Sequence, residues 1–350
     1  LVFVAAVAIL VCAGVIVHGF FFHNVAIQYV AQNYPEDTGS LFWLFQLAGL
    51  WASRSGSLLT WGFLIAVFAA WVAWHRRRER DELSNVALAV VMLVLVIFTA
   101  VMLFSSSNSP FLLTDPSYID ADGQLVGIAS TWGMNVLLEH WAMAIHPPTL
   151  FIGYAGMTVP FAYAIAALVC NDPSRRWIDL CNRIALFSFI FLSVGIGLGA
   201  VWAYVVLGWG GYWGWDPVEN ASLLSWLTSV AMLHSFTVYR KRDMMRGWAL
   251  LTAVLTFVFV VLGTFITRSG PCVQQRPRLD LPVPGDYGTV AFGPARAVGH
   301  APRHVCLGRR HGVGGLQEPL VLPHQHRDGV LRHPLGVPHH LERAAHMAAP

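Results

Sequence analysis

Between positions 209 and 220 the chain reads Trp-Gly-Gly-Tyr-Trp-Gly-Trp-Asp-Pro-Val-Glu-Asn. Four aromatics, Trp209, Tyr212, Trp213 and Trp215, fall within seven residues and are interspersed with glycine. Tryptophan gathers where a span meets the polar edge of a bilayer, so an interfacial belt accounts for the rings. A belt does not account for the glycines, which let a flat partner approach the backbone closely. Stacking an extended planar ligand on the aromatics accounts for both. The residues that follow have a structural reading. Asp216 as N-cap, Pro217 at the first helical position and Glu219 at the third make a capping box.

Two histidines stand out from the rest. His146 precedes Pro147 and Pro148. Paired prolines suit the first turn of a helix, where their missing donors are harmless, and this presents the imidazole at a membrane surface. The spacing fits a solvated interfacial histidine as well as a metal ligand. His234 lies about 25 Å along the helix that Pro217 opens. An ionisable side chain at that depth is a functional candidate, although it also fits a histidine near the headgroups, shortly before Arg240. His18, His23 and His140 read as interfacial, and His75 opens a basic loop.

Other apparent motifs fail. Gly195-Ile196-Gly197-Leu198-Gly199 lies inside an apolar run with no βαβ context, which excludes phosphate binding; Gly195 and Gly199 read instead as close helix packing. Asp115, Asp120, Asp122 and Gly123 hint at a calcium loop, but its frame places Ala129 at the bidentate glutamate position. The five cysteines contain no C-x-x-C pair, which removes a thioredoxin motif, a zinc ribbon and a C-x-x-C-H haem attachment site. No Ser-His-Asp arrangement and no row of intramembrane carboxylates is present.

The elements that position these residues follow from composition. Apolar residues make up 56% of the 350, and charged ones 12%, about half the usual share of a soluble domain. Stretches without Asp, Glu, Lys or Arg are long enough to cross a hydrocarbon core, which needs about 20 helical residues. They predict an all-α integral membrane protein with helices near 1–22, 56–75, 84–104, 148–170, 184–204, 217–239 and 248–267. Of the 13 basic residues through Gly270, 11 fall in alternate loops, at Arg76–Arg80, Arg175–Arg183 and Arg240–Arg246. That bias makes those loops cytoplasmic and turns 23–55, 105–147 and 205–216 outward. The first helix then runs outward from a start inside the membrane. With no initiating Met and no basic flank, it reads as the opening of a fragment, neither a signal peptide nor a natural N-terminus.

Composition breaks near Gly270. All 14 Trp precede it, whereas 9 of the 15 His and 11 of the 19 Pro follow it. Residues 1–270 form the membrane domain. Residues 271–350 contain no run of 18 apolar residues and too little apolar surface to offset chain entropy, so a disordered tail is expected. Because 21 of the 22 basic residues are Arg, a reading-frame shift in a GC-rich gene is the expected origin. The basic residues there are scattered and lack an aromatic platform, which gives no case for nucleic acid.

The stretch Trp209 to Ser222, WGGYWGWDPVENAS, resembles the tryptophan-rich WWD signature of haem-handling proteins in cytochrome c maturation. Trp51 to Trp61 (WASRSGSLLTW), His146 to Gly156 (HPPTLFIGYAG) and Gly263 to Gly270 (GTFITRSG) narrow the resemblance to the CcmF family, the haem lyase subunit, over essentially 1–270. The resemblance implies that His146 is an external axial ligand of haem held against the WWD segment. It implies that His234 ligates a separate transmembrane haem b. In the family a second external ligand follows Arg-Ser-Gly at the position of Arg276 here, and the second haem b ligand belongs to a later segment.

Further expectations come from the same resemblance. Haem would be bound transiently for transfer, delivered by a haem chaperone, and attached to the C-x-x-C-H thiols of apocytochrome c together with other maturation-complex subunits. The setting would be the lipid bilayer of the bacterial inner membrane, with the WWD loop periplasmic. Alternative readings are a haem carrier or exporter without ligation chemistry and an ion-coupled transporter; the latter calls for inverted repeats and broken helices, and neither is apparent.

Overall fold

In hydrocarbon a backbone has no partner but itself, so long apolar runs fold as helices. The computed structural model describes residues 1–36, 39–79, 81–207 and 211–268. Seven helices among them are long and apolar enough to cross a membrane. They are α1 (Val2–Phe21), α4 (Arg54–Arg76), α5 (Glu82–Phe104), α6 (Trp141–Val169), α7 (Arg176–Val206), α8 (Pro217–Arg242) and α9 (Arg246–Arg268), with short helices α2 (Gln28–Asn33) and α3 (Phe42–Ala48) between the first two. No strand occurs among the described residues; Ile27–Leu113 and Ile119–Leu125 form isolated bridges. Trp209, Arg80, Arg276 and the whole of 271–350 lie outside the described residues.

The helix α6 is central. It packs most extensively on α7 and also touches α4, α5 and α9. Small residues make this possible, as expected where helices associate without a hydrophobic driving force. A Cβ at Gly153 would come within 2.7 Å of the Leu192 backbone, and one at Gly195 within 2.8 Å of the Leu150 backbone. The packing role expected of Gly195 is therefore present, on the α6–α7 seam.

The expected start of the fourth span needs correction. The helix begins at Trp141, with His140 as N-cap accepting the Ala142 N–H through Nδ1 at 3.2 Å, and Pro147 and Pro148 lie inside it. Six residues before the prolines, Trp141 to His146, are already helical. The prolines leave the carbonyls four residues back, those of Met143 and Ala144, without an intrahelical donor. That loss falls close to the helix start, where it disrupts least.

Polar contacts tie the loops at each end. At the Arg-rich end, buried Asp81 caps α5 by accepting from Ser84 N at 3.2 Å and Ser84 Oγ at 2.6 Å, and it pairs with Arg176 at 3.1 Å. Ser84 Oγ also meets Tyr163 Oη at 3.0 Å. At the other end the two long loops are joined by backbone bonds from Gln28 to Leu112, Thr114 to Ala26 and Met134 to Tyr34. Tyr29 Oη donates to the Gly49 carbonyl at 2.8 Å and holds the turn that opens α4.

Candidate functional site

The capping box expected from sequence is formed. Asp216 Oδ1 accepts the Glu219 N–H at 2.7 Å, and Glu219 Oε2 accepts from Asp216 N at 3.4 Å. The carboxylate does more than cap: the same oxygen accepts the Gly214 N–H at 2.8 Å. Trp215 is thereby bracketed by two donors to one acceptor and sits at φ 55°, a left-handed conformation unusual for a bulky residue. The residue is 70% exposed. Trp213 meets it edge-on at 6.3 Å, and Tyr212 stacks on Tyr204 of α7 at 4.4 Å. The Nε1–H of Trp213 is buried and has no partner among the described residues. A buried donor in that state is costly, and an acceptor on a bound ligand would relieve it.

The placement of His146 departs from expectation. Its ring does not stand free at a surface but is wedged between α6 and α7. Nδ1 lies 2.7 Å from the Gly195 carbonyl. A carbonyl only accepts, so Nδ1 carries the hydrogen and Nε2 keeps its lone pair. A Cβ on Gly199 would meet the ring at 2.6 Å, and Trp202 lies nearly parallel to it at 6.5 Å between centroids. The indole of Trp202 is itself fixed by donating to Leu137 O at 3.2 Å. Sequence reasoning kept the glycine pair and His146 apart, although here they form one seat. The legible signal was the Gly195, Gly199, Trp202 spacing, which puts all three on one helical face.

Trp202 and Tyr204 lie on opposite sides of α7, since two residues turn a helix by about 200°. The last turns of α7 therefore connect His146 to the aromatic run without direct ring contact between them. His234 occupies a separate place, on an exposed face of α8, and makes no hydrogen bond to the described residues. Among the described residues no three His, Cys, Asp or Glu side chains gather as a metal cage. Lone imidazoles do suit a porphyrin iron, which brings its own equatorial ligands and needs only axial ones. The residues present thus fit haem at both places.

Helices that pack as a polytopic bundle, with a bracketed aromatic loop and a seated histidine at one end, define a multi-pass membrane protein. A profile described as cytochrome C assembly protein matches residues 51–272. The chain is 38% identical over 267 residues to the probable cytochrome c-type biogenesis protein NrfE of Escherichia coli K12, covering 76% of this chain and 46% of that one. It is 35% identical to the cytochrome c-type biogenesis protein CcmF of Haemophilus influenzae, covering 77% and 39%. A solved structure of cytochrome c heme lyase CcmF superposes with a TM-score of 0.62 at 32% identity, covering 77% and 41%. The chain therefore belongs to the CcmF family of cytochrome c assembly proteins. It spans less than half the length of each of these relatives.

Proposed function

We propose that this chain is the haem-presenting core of a haem lyase subunit in cytochrome c maturation, lying in the bacterial inner membrane with its aromatic loop on the periplasmic side. The observation that carries the reading is the His146–Gly195 hydrogen bond, because it holds the hydrogen on one ring nitrogen and leaves the other with its lone pair. Outer partners of this kind orient metal-ligating imidazoles and raise their basicity. His146 would bind the iron of the substrate haem, and Tyr212, Trp213 and Trp215, with Trp209 and Asp216, would border it. The covalent step adds each thiol S–H of an apocytochrome C-x-x-C-H motif across a haem vinyl group. This chain supplies neither thiol, so its contribution is binding and orientation. The haem chaperone and other maturation subunits are the partners this reading requires.

His234 would ligate a resident haem b, which when bound supplies one-electron chemistry that keeps the substrate iron reduced. The exposed α8 face leaves its imidazole open to such a group. Absorption spectra of the purified protein, reduced and oxidised, test both assignments. His234→Ala should abolish the b-type bands. His146→Gly should abolish capture of the substrate haem, with recovery on adding imidazole. Unchanged b-type bands in His234→Ala, or imidazole-insensitive loss in His146→Gly, would overturn the respective assignment.

A further inference from the structure

A concavity lies at the Arg-rich end, far from the aromatic loop. It has a volume of about 410 Å³ and is lined by Arg175, Asp179, Thr237, Arg240 and Lys241. Three cations face one carboxylate, and the roles within the cavity are already divided. Arg240 Nε is bound to Asp179 at 2.7 Å, and one Arg175 nitrogen caps the Arg240 carbonyl at 2.8 Å. Lys241 makes no hydrogen bond or ion pair among the described residues. Arg175 keeps further N–H groups, so the pocket retains two units of positive charge beyond the internal pair. The Thr237 hydroxyl donates to Leu233 O at 2.8 Å and is left as an acceptor. The chemistry offered is that of an anion site.

The surroundings indicate what kind of anion. Along α7 the residues stacked above Asp179 at helical spacing are Arg183, Leu186 and Ile190; the latter two are 48% and 50% exposed. Along α8 the face above Lys241 continues through Thr237 and His234 to Leu227, itself 50% exposed. A basic pocket thus lies below exposed apolar positions of the same two spans, reached on α7 about two turns up at Leu186, past Arg183, and on α8 about four turns up at Leu227, past Thr237 and His234. That amphipathic outline matches a phospholipid: phosphate below, acyl chains above.

We infer that this cavity holds the phosphate of an anionic phospholipid from the leaflet at the Arg-rich end. Soluble inorganic phosphate shares the headgroup's chemistry but makes no use of the apolar positions. The inference does not depend on haem binding, although His234 lies one turn above Thr237.

The test is retention of phosphatidylglycerol by the purified full chain, read by native mass spectrometry against phosphatidylcholine and inorganic phosphate. Phosphatidylglycerol should be retained selectively. Lys241→Gln should lower its retention about fivefold. Asp179→Asn, which removes the internal anion, should raise it, so an opposite-sign variant is available if Lys241→Gln does not fold. Equal retention of inorganic phosphate, or insensitivity to Lys241→Gln in a folded protein, would each overturn the inference. The haem b reading, by contrast, fails only if b-type bands survive His234→Ala.

Discussion

Gly199 and His146 exclude any side chain between them: a Cβ at position 199 would lie 2.6 Å from the imidazole Cε1 and 3.0 Å from Nδ1. Gly199→Ala must therefore push the ring off the Gly195 carbonyl. Capture of the substrate haem is expected to fall by an order of magnitude, since disturbed outer-shell partners cost about 10–100-fold in metal affinity. The b-type bands should persist. Absorption spectra of wild type and variant, matched for folded protein, check this; equal loss of both signals would point to misfolding.

Glu219 offers a second handle. Glu219→Ala removes the acceptor shared by Gly214 and Asp216, freeing the bracket around Trp215. Loss of the cap alone should cost about 1 kcal/mol. Haem capture should fall further than that cost explains, because the aromatic loop loses its conformation as well. Glu219→Gln keeps an acceptor oxygen and should lie between wild type and alanine. Thermal unfolding set beside haem titration separates the two effects.

His23 predicts a pH response. Its ring stacks on Tyr34 at 3.7 Å between centroids, and burial lowers its pKa below the ordinary 6.5. A depressed histidine pKa means the folded loop prefers neutral imidazole. Its contribution is complete above pH 6.5, the unfolded value, and is lost as the pH falls through the lower folded value. Hydrogen exchange across residues 22–34 should therefore speed up on acidification. His23→Gln should remove that pH dependence.

Asp81 should matter for stability rather than haem. Asp81→Ala removes a helix cap, the Arg176 pair and a partner of Ser84 at once. A loss of about 2 kcal/mol is expected, read as a lowered unfolding midpoint with unchanged haem spectra.

How much of this was legible depends on which force decides each element. Spans were legible because apolar runs of that length have a single outcome in hydrocarbon, and the Asp216–Glu219 cap because capping is local. The start of α6 was not. Pro147 and Pro148 signal a helix beginning, yet the Trp141–His146 segment before them is mostly apolar and His140 can cap it, so the helix extends back over six residues. The seat of His146 was hidden for another reason. It joins residues 49 positions apart, and only the α6–α7 packing brings Gly195 and Gly199 to the imidazole. Trp209 and the segment 271–350 lie outside the described residues, although the family match ends at 272, close to the compositional break at Gly270.

Trp215 carries a lasting conflict. A bulky residue at φ 55° costs about 1–3 kcal/mol that glycine would avoid. Anyone engineering a sturdier variant would choose Trp215→Gly first, and thermal stability would reward the choice. The same exchange deletes the most exposed ring among the described residues of the aromatic loop. Selection for durability and selection for ligand contact thus pull on one position in opposite directions, and a stability screen run without haem would discard the tryptophan.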